Sequence, residues 1–219
     1  CFTGSVPTAG VIAAAAATNI VPLSFELGGK SPLVVFDDAD LDLAVEIAVE
    51  QFDNAGQVCL KAARMIVHES IAQEFTRRVV DGAAKLTQGD PRDEATDVSA
   101  LITRKHFEVV SGFVERAIAD GARPLLGGGP NTDLGGLYFR PTVLVDAPED
   151  SEILTEEVFG PVVTIQTFAT EEEAVARAND SRFGLAATLV TGDRDRAERV
   201  SARLDAGTVW VNCFFVRDL

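Results

Sequence analysis

The chain has 219 residues, about half of them apolar, which is enough for a substantial layered core. Its 34 acidic residues against 19 basic ones give a formal charge of −15, which excludes the basic footprint of a nucleic-acid binder and disfavours an anionic membrane surface. Cys1, Cys59 and Cys213 show no CxxC spacing and His68 and His106 lie far apart, so neither a disulfide framework nor a metal site is expected, and a reducing, cytoplasmic compartment is the simpler setting.

In chain order, Phe2-Thr3-Gly4-Ser5 followed by Val6-Pro7 predicts a strand, a tight turn and a helix opening near Pro7. Helix starts present free N–H groups to anions; Gly4 would let a backbone approach a phosphate and Ser5 would donate to it, although an ordinary capped helix has the same pattern. The apolar run from Ala9 to Ala17 is far short of the ~20 residues that cross a bilayer. The run Val21-Pro22-Leu23-Ser24-Phe25-Glu26 predicts a buried strand ending on a carboxylate. Such a group is costly unless paired or protonated, and burial would raise its pKa toward general-base use; a structural glutamate bonded to backbone amides is the plain alternative. The stretch Gly28-Gly29-Lys30-Ser31 is not a phosphate loop, because the pattern needs glycine at position 24, which is Ser24.

Pro32 to Phe36 predicts a strand, and Asp40 caps a helix reaching about Asn54, with Leu41, Val45, Ala48 and Phe52 on its inner face. Asp42, Glu46 and Glu50 form a solvated row on another face. Met65–His68 predicts a strand, and Ile71, Phe75, Val79 and Ala83 mark a helix capped by Ser70. Thr103 to Asp120 is another helix, stopped by Gly121. Gly127-Gly128-Gly129-Pro130-Asn131 opens a surface loop. Phe139–Val145 and Val162–Phe168 predict strands, and Thr170 with Glu173 forms a capping box on a helix to about Asn179. Leu185–Thr191, a helix from Asp193 to Leu204, and Thr208–Asn212 complete the run. Strands alternating with helices predict an α/β fold with a mostly parallel sheet and helices on both faces.

Cys59 raises the chemical question. It follows a glycine turn, Asn54-Ala55-Gly56, and precedes Lys61 and Arg64. An ordinary thiol has a pKa of about 8.5 and needs backbone amides, a cation or a base to become a nucleophile. An exposed turn would supply amides, whereas a free cysteine is otherwise a small buried hydrophobe.

Glu26 and Cys59 together carry a resemblance. The blocks FTGS (2–5), ELGGKSP (26–32), FDNAGQVC (52–59), EEVFGPV (156–162) and WVNC (210–213) resemble, in order and separation, the NAD(P)-dependent aldehyde dehydrogenase superfamily over essentially the whole chain. The resemblance implies that residues 1–28 are the end of a cofactor-binding domain and residues 29–219 most of a catalytic domain. It implies that Cys59 attacks an aldehyde to give a thiohemiacetal, that loss of hydride to NAD or NADP gives a thioester, and that Glu26 activates the hydrolytic water. The Cys59 N–H would be one oxyanion donor, worth ~3 kcal/mol of barrier in comparable sites. Gly4, Ser5, Leu27, Gly28, Glu157 and Phe159 would contact the cofactor, with Glu157 on the nicotinamide ribose. Phe215 and Arg217 would meet the substrate. The arrangement NC-x-x-x-R-[DE]-L at 212–219 is similar to that of subgroups acting on muconate-type semialdehydes, where Arg217 would fork onto a distal carboxylate. A surface arginine pairing with Asp218 is the alternative, and Cys213 is expected in the core.

Lys61 departs from the family pattern, which usually has a small residue there; it either points away from the site or alters its packing. The chain starts without Met, and the resemblance places the second oxyanion donor and the adenine contacts in a preceding segment. A fragment of a homodimeric or homotetrameric parent is therefore expected, inactive or barely active alone. A coenzyme A-acylating enzyme, against which Glu26 counts, and a catalytically silent binding protein are the competing readings.

Overall fold

The computed structural model describes residues 1–216. It opens with β1 (Phe2–Gly4), α1 (Val6–Ala17) and β2 (Phe25–Leu27), where β1 and β2 pair in parallel as a separate two-stranded sheet. There follow β3 (Pro32–Val35), α2 (Leu41–Glu50), a 3-10 turn (Asp53–Gly56), β4 (Arg64–His68), α3 (Glu69–Ala83) and α4 (Arg104–Ala119). Then come β5 (Arg123–Leu126), β6 (Thr142–Val145), α5 (Glu152–Thr155), β7 (Val162–Phe168), α6 (Glu171–Asn179), β8 (Ala186–Val190), α7 (Arg194–Ser201) and β9 (Thr208–Val211). The main sheet has seven strands in the order β5-β6-β7-β4-β3-β8-β9, parallel throughout except for the β5–β6 edge pair.

Alternation along the central strands assigns side chains to two cores. Leu33, Val35, Met65 and Val67 pack with α2, α3 and α4, including Ile47, Phe75 and Val110, and with Phe52 just past α2. Val34, Ile66 and Leu189 point the other way, onto Ala174 and Ala178 of α6 and Val200 of α7. Both faces of β3 and β4 are covered, which is why these strands read as continuous apolar runs. Each fully buried side chain of this size contributes roughly 1.5–3 kcal/mol by leaving water.

The caps follow the sequence with one exception, and three element boundaries differ. Asp40 Oδ1 accepts from the N–H groups of Asp42 and Leu43, and Thr170 Oγ1 accepts from Glu173 N while Glu173 Oε2 accepts from Ala169 N. Ser70 is not the cap of α3: His68 is, with Nδ1 accepting from Ser70 N at 3.3 Å. The helix from Asp40 does not reach Asn54. It stops at Glu50, because Asn54, Ala55 and Gly56 all take positive φ (49°, 54° and 67°) and turn the chain back. β6 begins at Thr142 rather than Phe139, which only bridges to Pro130, and α7 ends at Ser201 rather than Leu204. The edge strand β5 and the single-turn α5 are additional elements; β5 is four residues long and contains Pro124, so its strand signal is weak. No helix of the described residues is long and apolar enough to cross a membrane.

Candidate active site

Cys59 sits in a turn closed by Lys61 N donating to Val58 O at 3.2 Å, so Cys59 and Leu60 are its two central residues. The turn is held from both sides. Asn54 Nδ2 donates to Gln57 O and Gln57 Nε2 donates to Asn54 O, and Gln57 Oε1 accepts from Ile102 N. Downstream, buried Gln51 accepts from Ala62 N at 2.7 Å and donates to Ile47 O at 2.7 Å, tying the segment to the end of α2. Gly56 cannot be replaced without collision: a Cβ there would lie 2.1 Å from Gly160 O, on a backbone already left-handed. Cys59 is half-buried and forms no disulfide.

The exit of β2 runs directly beneath this turn. A Cβ on Gly29 would lie 2.6 Å from Cys59 O, and one on Gly28 would lie 2.0 Å from Glu157 Oε2. Gly29 N donates to Glu157 Oε1 at 3.0 Å. The two glycines thus let three segments meet: the strand bearing Glu26, the turn bearing Cys59 and the loop bearing Glu157. Partial burial raises the Glu157 carboxyl pKa, opposed by the Gly29 N–H and by the charges of Lys30 and His106. Lys30 is buried, and burial first, then Arg64, lowers its ammonium pKa to about 7 despite Glu157 and Glu156.

Phe159 has φ 53°, and its carbonyl accepts from His106 Nε2 at 2.6 Å, which makes Nε2 the protonated ring nitrogen. The two rings meet edge-on at 5.9 Å. His106 is a supporting residue that the sequence did not reveal: it is 53 positions from its partner, and nothing local signals the contact.

The β1–β2 register sets Thr3 opposite Glu26 and Gly4 opposite Leu27, the residue before the Gly28-Gly29 pair that meets Glu157. Ser5 is the N-cap of α1, with its hydroxyl 3.0 Å from Thr8 Oγ1. Glu26 corrects the sequence reading. It is exposed in the middle of β2, not buried at a strand end, because the apolar residues Val21 and Leu23 before it are themselves uncovered. Glu26 lies three residues before Gly29, the position that packs on the Cys59 carbonyl.

The residues flanking Cys59, Val58 and Leu60, line a cleft of about 260 Å³ together with Glu50, Asp53, Lys61, Phe214 and Phe215, and Cys59 itself is not in its wall. Phe215 stacks on Phe214 at 6.0 Å, and Trp210 meets Phe214 edge-on at 5.4 Å while its indole N–H donates to Val216 O. Asn212 holds this segment by exchanging two hydrogen bonds with the Thr191 backbone. Cys213 is half-buried rather than a core residue. Arg217 and Asp218 lie outside the described residues. No group of three or more metal-ligating side chains occurs among the described residues.

The sequence model of the aldehyde dehydrogenase family matches residues 1–219. The chain belongs to the aldehyde dehydrogenase family. It is 47% identical over 216 residues to the betaine aldehyde dehydrogenase of Rhizobium johnstonii, covering 97% of this chain and 44% of that protein. It is 42% identical over 214 residues to a chloroplastic aminoaldehyde dehydrogenase of Arabidopsis thaliana, covering 97% and 43%. Among solved structures, Staphylococcus aureus betaine aldehyde dehydrogenase in complex with NAD+ superposes with a TM-score of 0.94 at 40% identity, over 99% of this chain and 44% of that one. An NADP-dependent enzyme of E. coli gives 0.95 at 38% identity, over 99% and 45%. The chain thus spans less than half the length of these aldehyde dehydrogenases. At its glycine pair, Gly28 leaves room for the Glu157 carboxylate and Gly29 for the Cys59 backbone.

Proposed function

We propose that this chain carries the thiol half of an NAD(P)-dependent aldehyde dehydrogenase site, which oxidises an aldehyde to the free acid. The supporting observation is the contact of three segments at Gly28-Gly29, where Cys59 and Glu157 meet the strand that bears Glu26. Cys59 Sγ attacks the aldehyde carbon, and the carbonyl oxygen takes a proton or rests on the Cys59 N–H as the thiohemiacetal forms. A bound nicotinamide would supply the hydride acceptor, and the adduct would become a thioester by losing that hydride together with any proton on its oxygen. Gly4, Ser5, Leu27, Gly28, Glu157 and Phe159 hold the cofactor, either NAD or NADP, as the solved relatives bind the one or depend on the other. Glu26 then takes a proton from water, which adds to the thioester carbonyl and releases the acid and the thiolate. Residues 1–28 serve as the end of the cofactor domain and residues 29–219 as catalytic domain, in a cytoplasmic homodimer or homotetramer. The 219 residues alone are expected to turn over weakly.

For the substrate, a carboxylated semialdehyde gripped by Arg217 is one reading. The described cleft supports another: Glu50 and Asp53 lie beside the stacked Phe214 and Phe215, and the Lys61 amine in the same wall is taken up by the Gly160 and Val162 carbonyls, a lining suited to an aldehyde bearing a cationic group. The Glu50 pKa is raised by partial burial and by Asp53 and Glu46, a crowding that a cation would relieve. The deciding experiment compares kcat/KM of the full-length protein for carboxylated, neutral and cationic aldehydes of equal length. Cys59→Ala should abolish oxidation, and Glu26→Gln should slow thioester hydrolysis by about 10²–10⁴. Coenzyme A thioester in place of free acid as product would overturn the hydrolytic assignment, and an active Cys59→Ala protein the whole reading.

A further inference from the structure

Lys61 is two residues past Cys59, yet its side chain is 5% exposed and takes no part in the chemistry described above. Its Nζ donates to Gly160 O at 2.5 Å and to Val162 O at 2.7 Å. Those two carbonyls end the loop that carries Glu157 and Phe159, where Val162 N folds back onto Gly160 O at 2.8 Å. The same nitrogen would be 2.7 Å from a Cβ at Gly56, and it lies 5.8 Å from the Phe52 ring centroid. Gly56, Lys61 Nζ and the Gly160 peptide therefore meet at one buried point between the two loops.

We propose that Lys61 is a positioning residue, pinning the Gly160–Val162 backbone to the Cys59 turn and so fixing where the Glu157–Phe159 loop stands relative to the thiol. This rests on the reading of Cys59 and Glu157 given above. The direction of the chain makes the pin possible. The Lys61 backbone N–H closes the turn toward Val58, while the side chain runs away from it into the facing loop. A buried amine is costly to hold, since burial, and then the charge of Lys30, drives its pKa well below that of an ordinary lysine. A small residue would avoid that cost but leave both carbonyls without these donors. The lysine is thus matched to the loop it binds, and its removal should loosen that loop without undoing the turn, which keeps its own backbone hydrogen bond.

The test uses Lys61→Met in the full-length protein, with Lys61→Ala as the second variant. Without cofactor, hydrogen exchange at residues 156–162 should rise at least fivefold, while the rate of Cys59 alkylation by iodoacetamide stays within twofold. With cofactor and aldehyde, the cofactor KM should rise at least fivefold, more than kcat falls. Smaller changes in either exchange or KM, or alkylation that falls in step with kcat/KM, would overturn the proposal. So would failure of both variants to fold, which would make Lys61 a general core residue. An inactive wild-type protein would instead defeat the assignment of Cys59, while the exchange measurement would still report on the pin.

Discussion

Gly29→Ala is the most direct probe of the meeting point beneath Cys59. The added methyl would stand 2.6 Å from Cys59 O, with Leu185 Cβ at 3.3 Å and Cδ2 at 3.5 Å behind it. Bonded geometry aside, such a contact must open by at least about 0.4 Å, and Leu185 prevents the methyl from retreating. The Cys59 peptide must move instead. Overpacking of this kind costs about 1–3 kcal/mol of stability. The larger effect should be on chemistry: a 1 Å misplacement costs about 10²-fold in rate, so a shift of roughly half that size should lower kcat about tenfold. Gly28→Ala is the matched control, because its methyl would strike the Glu157 carboxylate at 2.0 Å, the far end of a movable side chain. It should raise the cofactor KM through loss of the Gly29 N–H to Glu157 bond, a charged hydrogen bond of about 1.5–3 kcal/mol, and leave thiol reactivity nearly intact. The assay is steady-state kinetics of the folded full-length variants beside the rate of Cys59 alkylation. A Gly29→Ala protein whose kcat and alkylation rate both stay within twofold of wild type would refute the contact as a constraint on the nucleophile.

Three further outcomes are expected. Lys30, with its folded pKa of about 7 below the unfolded value of about 10.4, binds fewer protons folded than unfolded between these limits. Stability should therefore rise with pH from about 7 to 10, and urea midpoints for Lys30→Met should show a shallower rise than wild type. Arg64 donates to the carbonyls of Lys30, Arg177 and Ala178 at 2.7–2.9 Å and to Asp180 at 3.4 Å, so Arg64→Lys, which cannot span them all, should lower stability by more than about 2 kcal/mol in chemical denaturation. Phe75 is fully buried between α3 and the sheet, and Phe75→Ala should cost about 3–5 kcal/mol by the same measurement.

The local chain chemistry determined the order of the elements. Asp40 and Thr170 cap the helices the sequence assigned to them, and Thr103 and Asp193, read as helix starts, are the caps of theirs, since a cap is an interaction within three residues. The apolar runs at Pro32–Phe36 and Met65–His68 marked strands for the same local reason, and the structure shows both strands covered on both faces. Glu26 and Cys59 stood out as a pair only through the blocks around them, and the depth of Glu26 was misread because exposure depends on what covers a strand, which no window of sequence contains.

What only the tertiary structure decided is who meets whom. Gly29 under Cys59, Gly28 against Glu157, His106 on Phe159 and Lys61 on Gly160 join residues that are 30 to 129 positions apart. The reach of Lys61 could not be read from its position two residues past the thiol, because a side chain's direction is fixed by the turn it leaves and by the loop that folds over it. Short-range hydrogen bonding and periodic burial belong to the sequence. The spacing between a sulfur, a carboxylate and a buried amine belongs to the packing of the parallel sheet, which brings the ends of distant strands to one edge.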